Sequence, residues 1–266
     1  MLRSLALSLS LAAAPLAAQE ASEYDEVDIE LFLAVDVSRS MSPYELELQR
    51  RGYAEALTHP DVLSAIRGGL IGRIALTYVE WAGSNAQNVV VPWTLIDNDA
   101  TAADVAATLS AEPSSGMRRT SISGALAFAA GSFHSNDFQG LRRVIDISGD
   151  GPNNQGLPVL EARAAVLDQG IIINGLPLMT EDEVSSRWGI EDLDIYYNEC
   201  VIGGPGSFMI PVHGWSAFAE AVRRKLVLEI AGAQDAEFSS LHKAYSYDCM
   251  IGEKIWERNF GGFFSP

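Results

Sequence analysis

Runs of apolar residues alternate along the chain with segments of helical periodicity. The run VDIELFLAVDV, residues 27–37, is apolar at consecutive positions in its second half, which is typical of a strand covered on both faces of a sheet. Further strands are predicted where β-branched and apolar residues cluster again: 73–83, 88–96, 142–151, 171–179 and a short last strand at 207–212.

Helices are predicted between these strands. One begins at Pro43, with Ser42 as its N-cap and proline at the first helical position. Others are predicted at 101–112, 120–133, and 157–170, the last ended by Gly170. Residues 215–232 form a further helix that ends at Gly232 and carries apolar residues at helical spacing: Trp215, Phe218, Ala219, Val222, Leu226 and Ile230.

This order of elements predicts an α/β fold. Alternating strands and helices form a doubly wound, mostly parallel central sheet with helices on both faces. Pro92 lies inside the strand at 88–96, so that strand is expected at the edge of the sheet, as an antiparallel strand that follows its neighbour after a short turn. Residues 27–232 are expected to form the domain, and residues 233–266, which contain several aromatic side chains, a tail packed on it.

Composition narrows the class of protein. The chain has 266 residues, 48% of them hydrophobic and 20% charged, which is enough for a sizeable core. Its formal net charge of −17 argues against a nucleic-acid partner, because nothing offsets the repulsion from phosphates.

The N-terminus resembles a cleaved secretory signal. Residues 1–18 carry Arg3, an apolar middle and small residues near Ala18, where cleavage is expected. This apolar stretch is too short to span a bilayer, and no later segment is apolar for long enough to cross one. The sequence therefore predicts a periplasmic or secreted protein without a transmembrane segment.

Export gives meaning to the two cysteines, Cys200 and Cys249. In an oxidising compartment two cysteines most often form a disulfide, and the alternative is two separate buried thiols. Neither cysteine has a histidine or basic residue near it in sequence that would favour a reactive thiolate.

Oxygen-bearing side chains follow two of the predicted strands. Asp36, Ser38 and Ser40 lie where the chain leaves the first strand, Thr120 opens the helix at 120–133, and Asp150 lies where the chain leaves the strand at 142–151. Ligands of such sheets bind beyond the carboxyl ends of the strands. Two carboxylates and three hydroxyls are hard donors that suit Mg²⁺, and they do not suit zinc, which prefers histidine and cysteine.

This pattern resembles a known family. The Asp-x-Ser-x-Ser set at Asp36, Ser38 and Ser40, with Thr120 before SISGAL and Asp150 in SGDG, is similar to the metal-ion-dependent adhesion site (MIDAS) of von Willebrand factor A (VWA) domains. The resemblance covers residues 28–232 and is strongest to the exported bacterial branch DUF1194. Family members usually carry glycine just before the threonine, whereas this chain has Arg118 and Arg119.

The resemblance implies a Rossmann-like VWA fold and a protein-interaction module, not an enzyme. Ser38, Ser40 and, in the ligand-competent form, Thr120 would bind Mg²⁺ (or Mn²⁺ or Ca²⁺) directly, while Asp36 and Asp150 would act mainly through metal-bound waters. Because hydroxyls neutralise no charge, the cation would seek a further carboxylate, which a protein partner's acidic side chain would supply. Four loops are expected to surround that carboxylate: 39–44, 84–87, 114–119 and 151–156.

The same residues are open to interpretations other than a metal-dependent interaction module. Ser38 and Ser40 could only cap a helix, and Asp150 could only form a turn. A Mg²⁺-dependent phosphohydrolase could use Asp36 as its nucleophile, although such enzymes place a second aspartate where this chain has Ser38. A third possibility is a structural periplasmic protein with a degenerate site.

Other polar residues are expected to be structural. Asp146, in the middle of a strand, is interpreted as a hydrogen-bonded core residue, with a supporting role behind the metal as the alternative. The histidines show no metal-ligand spacing and are interpreted as structural or surface residues: His59, His134, His213 and His242.

Overall fold

The computed structural model describes residues 24–111, 116–179, 189–232 and 247–260. A five-stranded sheet forms its centre, in the order β4-β3-β2-β6-β7, and a two-stranded sheet pairs β1 with β5. The strands are β1 (Asp25–Val27), β2 (Glu30–Asp36), β3 (Ile74–Trp81), β4 (Gln87–Ile96), β5 (Phe138–Gly140), β6 (Arg143–Gly149) and β7 (Ile172–Pro177).

Helices cover both faces of the sheet. They are α1 (Pro43–Leu57), α2 (Pro60–Arg67), α3 (Asp99–Leu109), α4 (Ile122–Ser132), α5 (Val159–Leu167), α6 (Leu193–Tyr196), α7 (Phe218–Ala231) and α8 (Ile251–Phe260). A π-helical turn, Tyr197–Val201, continues α6, and a 3₁₀ turn, Trp215–Ala217, precedes α7.

The central sheet confirms the predicted fold class. β2 pairs in parallel with β3 and with β6, and β6 with β7, while β4 is the antiparallel edge strand predicted from Pro92. Apolar residues of α1, α2, α3 and α7 form one hydrophobic cluster on one face, and those of α4, α5 and α6 form another on the opposite face. The strands that alternate with helices along the sequence therefore form the central layer of the fold, and the helices form the two outer layers.

The prediction of one continuous strand at 27–37 was wrong, because Asp28 interrupts it. The carboxylate of Asp28 accepts hydrogen bonds from the backbone N–H groups of Ile71, Gly72 and Arg73. These bonds tie the chain to the loop before β3, so β1 pairs with β5 and β2 joins the main sheet.

The short last strand predicted at 207–212 is also not a regular strand. The segment makes only isolated bridges to the edge formed by β7, pairing Met209 with Gly175 and Val212 with Leu178. Pro211 has no N–H to donate to a ladder, which explains the interruption. Helix α2 was missed, although Pro60 at its first turn and three buried residues at helical spacing indicate it: Val62, Leu63 and Ile66.

Helix ends follow the sequence signals closely. Ser42 caps α1, and Glu45 returns a hydrogen bond to the Ser42 backbone, which completes a capping box. At the end of α7, Gly232 adopts the left-handed conformation with φ 66°, which glycine tolerates without steric strain. The predicted start of α1 and the predicted end of α7 are confirmed, whereas α7 begins at Phe218, three residues later than predicted.

Asp146 belongs to a buried ionic cluster behind the sheet. Its Oδ1 lies 2.8 Å from Nζ of Lys225 on α7, and Lys225 also contacts Glu229 one turn further along the helix. Asn174 on β7 donates to Glu229 Oε1 at 2.9 Å. All four side chains are buried, so α7 is attached to β6 and β7 by charge pairing as well as by apolar packing. The interpretation of Asp146 as a core residue agrees with this environment.

The described part of the C-terminal tail packs on the domain. Cys249 forms a disulfide with Cys200 of the π-helical turn, 49 residues earlier. Helix α8 begins two residues after Cys249, and Ile251 packs at the margin of the cluster that contains α4 and α5. The predicted signal segment at 1–18 lies outside the described residues. None of the helices that the structure describes is long and apolar enough to cross a membrane.

Candidate metal centre

Four of the predicted site residues meet where β2 and β6 end. Ser38 donates its backbone N–H to Asp36 Oδ1 at 2.7 Å, which folds the chain back just after β2. The hydroxyls of Ser38 and Ser40 lie 2.9 Å apart, and Ser40 Oγ donates to Asp150 Oδ1 at 2.9 Å. Neighbouring parallel strands thus bring the two carboxylates to the same edge of the sheet.

Thr120 lies at this edge in a loop of its own. Met117, three residues earlier, donates its N–H to Val37 O at 2.9 Å, so the loop runs beside Ser38. Thr120 exchanges hydrogen bonds with Asn154, its N–H donating to Asn154 Oδ1 and its carbonyl accepting from Asn154 N. The loops before α4 and after β6 are therefore joined through Thr120, which is 7% exposed.

The electrostatics of the cluster are those of two close carboxylates. Asp36 is completely buried, and burial raises the pKa of its carboxyl well above the usual value. The nearby negative charge of Asp150 raises that pKa further, while hydrogen bonds from Ser38 oppose the shift. Without a cation to compensate its charge, an ionised Asp36 therefore lowers the stability of the folded state.

The donor set fits a hard divalent cation. Asp36 Oδ2 is buried, and none of the residues that the structure describes donates a hydrogen bond to it. Such an oxygen is expected to be paired, and a metal-bound water or the charge of a nearby cation would satisfy it. In the described part of the chain no three His, Cys, Asp or Glu side chains are grouped to hold a metal, so a metal centre here depends on the hydroxyls.

Sequence reasoning missed residues that support Asp36 from behind. Gln49 on α1 donates to the Asp36 carbonyl at 3.0 Å. Tyr197, in the π-helical turn, is completely buried, and the charge of Asp36 contributes to raising the pKa of its hydroxyl, after burial itself. A Cβ at Gly149 would lie 2.9 Å from Tyr197 Oη and 3.0 Å from Asp36 Oδ2, so only glycine fits there. The signal that marks Tyr197 is the π-helical turn, which is often found at functional sites but is visible only in the three-dimensional structure.

The histidines of the described residues have the roles expected of structural or surface residues. His59 caps α2, and His134 contacts Gln169 at 3.0 Å, which agrees with structural roles. His213 is exposed, and His242 lies outside the described residues.

Solved structures with a similar fold include three VWA-related proteins. A von Willebrand factor type A protein from Catenulispora acidiphila aligns with a TM-score of 0.53 at 13% identity, over 77% of this chain and 43% of that one. The pilus adhesin SpaC from Lactobacillus rhamnosus GG gives 0.55 at 12% identity, over 77% and 31%. Proximal thread matrix protein 1 from the mussel byssus, with a zinc-occupied MIDAS motif, gives 0.52 at 14% identity, over 77% and 46%.

These likenesses establish the fold, and the family follows from the sequence. The chain spans less than half the length of each of the three proteins. A search of curated protein sequences finds no match. The model of the family described as "Protein of unknown function (DUF1194)" matches residues 26–234. The chain therefore belongs to the DUF1194 family, and its domain has the fold of VWA domains.

Proposed function

We propose that this protein is an exported interaction module that binds a divalent cation at Asp36, Ser38, Ser40, Thr120 and Asp150. The observation that carries the proposal is the hydrogen-bonded chain from Ser38 through Ser40 to Asp150, beside the buried Oδ2 of Asp36, to which no residue in the described part of the chain donates a hydrogen bond. In the metal-bound protein, the hydroxyl oxygens that now bond to one another would turn their lone pairs to the cation.

Mg²⁺ is the proposed ion, with Mn²⁺ or Ca²⁺ as substitutes. The donors are all oxygens, and two carboxylates balance the charge of one divalent cation. Direct protein ligands would be few, so water would complete the coordination and the affinity would be modest. The carboxylate of a partner's Asp or Glu could replace one of these waters and gain a direct bond to the metal.

The charge around the site supports an acidic ligand. The chain carries a net charge of −17, yet Arg39 and Arg118 are exposed beside the proposed ligands. These guanidinium groups would attract a carboxylate locally to a surface that otherwise repels it. Arg119, the neighbour of Arg118, instead lies over the ring of Trp256.

A phosphohydrolase is less well supported than a binding module. Asp36 is 0% exposed and one of its oxygens accepts the Ser38 N–H, so it lacks the access that a nucleophile needs. Ser38 also stands where such enzymes use an acidic residue. We therefore propose no catalytic role for the site. Export remains a proposal that rests on the predicted signal segment at 1–18 and on the Cys200–Cys249 disulfide.

Added Mg²⁺ is expected to raise the unfolding temperature of the metal-free protein. A ligand that binds only the folded state, at about 100 times its dissociation constant, stabilises it by about 2.7 kcal/mol, which corresponds to several degrees. Asp36→Ala should abolish this shift. Asp104→Ala, which removes an exposed carboxylate on α3, is the matched control and should retain it. Equal shifts in the parent and in Asp36→Ala would show that the metal binds elsewhere.

Partner binding is expected to require both the metal and an acidic side chain. Immobilised protein should retain an exported protein in Mg²⁺ and release it in EDTA, and amidation of the extract's carboxylates should prevent retention. Ser40→Ala should weaken retention by about ten-fold or more, because it removes one of the few protein oxygens that would bind the metal. Ser110→Ala, an exposed hydroxyl at the end of α3, should not. Retention that survives EDTA would contradict the metal-dependent mechanism.

A further inference from the structure

The residue before Thr120 has an unusual backbone conformation. Arg119 has φ 76°, and among the residues that the structure describes no other non-glycine residue has positive φ. This region is disfavoured for residues with a Cβ, and such conformations persist only when surrounding contacts fix them. Some other part of the chain must therefore hold Arg119 in place.

Helix α8 provides that contact. The guanidinium carbon of Arg119 lies 3.1 Å from the centre of the Trp256 ring, within the range of a cation–π interaction. The other aromatic residue of this helix surface, Phe260, stacks on Trp256 with ring centres 4.0 Å apart. The Thr120 loop is thus attached to a helix that belongs to the C-terminal tail.

The same helix also holds the loop that follows Asp150. Asn153 Nδ2 donates to Glu253 Oε1 at 2.7 Å. The first turn of α8 lies directly against this loop, because a Cβ at Gly252 would be 2.1 Å from the Asn153 carbonyl oxygen. Asn153 in turn accepts the N–H of Ser123 at the start of α4, at 3.0 Å. Helix α8 therefore contacts two loops of the proposed metal centre, the loop that carries Thr120 and the loop that follows Asp150.

Helix α8 is itself fixed to the domain at its N-terminal end. Cys249 is bonded to Cys200 in the π-helical turn, and the rings of Tyr247 and Tyr196 are in edge contact at 6.1 Å. The Tyr196 hydroxyl accepts the backbone N–H of Asn153 at 3.1 Å. One network of contacts therefore runs from the disulfide through α8 to the loops of the metal centre.

We infer that α8 positions the metal-binding loops, and that Arg119 and Trp256 are the positioning residues for Thr120. The inference rests on the proposed metal function, which it deepens. By holding Arg119 in its disfavoured conformation, Trp256 keeps the Thr120 loop ordered before metal arrives. The Thr120 loop is then ordered when the protein folds, so metal binding does not have to order it. Metal affinity is therefore higher than it would be for a loop without the contact to Trp256.

Two measurements test this inference. The first is hydrogen exchange, without metal, of the amides in 117–124, several of which are hydrogen-bonded in the structure. The second is the affinity for Mn²⁺ alone. Trp256→Ala should speed exchange in 117–124 and weaken Mn²⁺ binding by about five-fold or more, the lower end of ordinary coupling between sites. Trp256→Phe, which keeps an aromatic face, should restore most of both properties.

Matched variants separate positioning from general stability. Lys254→Ala removes an exposed ion pair from the same helix and should change neither exchange nor affinity. Arg119→Gly removes the contact but suits positive φ, so it should weaken Mn²⁺ binding without lowering the unfolding temperature of the metal-free protein. Loss of stability alone would not produce this split.

The outcomes distinguish this inference from the proposed function. Parent-like exchange in 117–124 of Trp256→Ala would overturn the positioning role, whether or not metal binds. Faster exchange with unchanged Mn²⁺ affinity would equally overturn it, because the order of the loop would then not matter to the site. If the parent binds no Mn²⁺, the proposed metal function fails, and the inference fails with it even where exchange shows that α8 orders the loop.

Discussion

Replacement of Lys225 by methionine is expected to lower the free energy of unfolding by about 3–5 kcal/mol at neutral pH, the usual loss when one partner of a buried ion pair is removed. Lys225 is 0% exposed and is the cation between the carboxylates of Asp146 and Glu229. Methionine fills a similar volume, so the loss would come mainly from charge. Chemical denaturation of the two proteins measures the difference directly.

A matched substitution controls for removal of a lysine as such. Lys254 on α8 is 62% exposed and pairs with Asp248, so Lys254→Met should change the free energy of unfolding by less than about 1 kcal/mol. Equal small effects of the two substitutions would contradict the description of Lys225 as the cation that compensates two buried carboxylates.

The pH dependence of stability gives the same cluster a second signature. Burial, followed by the charge of Asp146, raises the pKa of Glu229 from its ordinary 4.5 to about 7. The folded state therefore binds this proton more tightly than the unfolded chain. The contribution of this proton on Glu229 to the free energy of unfolding is fully present below pH 4.5 and is lost as the pH rises towards 7. Glu229→Gln should flatten this loss, and an unchanged slope would contradict the assignment.

Loss of the disulfide is the second large expected effect. The double substitution Cys200→Ala and Cys249→Ala should lower the free energy of unfolding by roughly 4 kcal/mol, because the bond closes a loop of 49 residues that is free in the unfolded variant. Denaturant titration of the oxidised parent and the double variant measures the difference. Two alkylatable thiols in the unreduced parent, found by mass spectrometry, would contradict the bond itself.

Much of the fold could be predicted because local pattern and tertiary position agree. Pro92 marked the edge strand, and Ser42 and Gly232 marked helix ends, since each residue acts through its own backbone geometry. The errors in the predicted elements occur where a contact between residues distant in sequence determines the local structure. Asp28 ends a strand by accepting N–H groups from residues more than forty positions later, which no local pattern reveals.

The candidate site shows the same division. The short spacing of Asp36, Ser38 and Ser40 predicted that they would converge, and the structure brings them together with Asp150. Their binding of a metal stays a prediction. Trp256 and Tyr197 could not be associated with the site from sequence, because their contacts depend on how the tail and the π-helical turn pack. Residues that supply donors were recognisable by type, whereas residues that position them were not.

Titration of the metal-free protein with Mn²⁺, with the free ion followed by electron paramagnetic resonance, tests the central claim most directly. The parent should bind one Mn²⁺ per chain, and Mg²⁺ should displace it. Asp36→Ala and Asp150→Ala should each lose this site, while Asp104→Ala should keep it, because Asp104 lies on the exposed surface of α3. A parent that binds no Mn²⁺, or an Asp36→Ala variant that binds it as the parent does, would contradict the proposed metal centre.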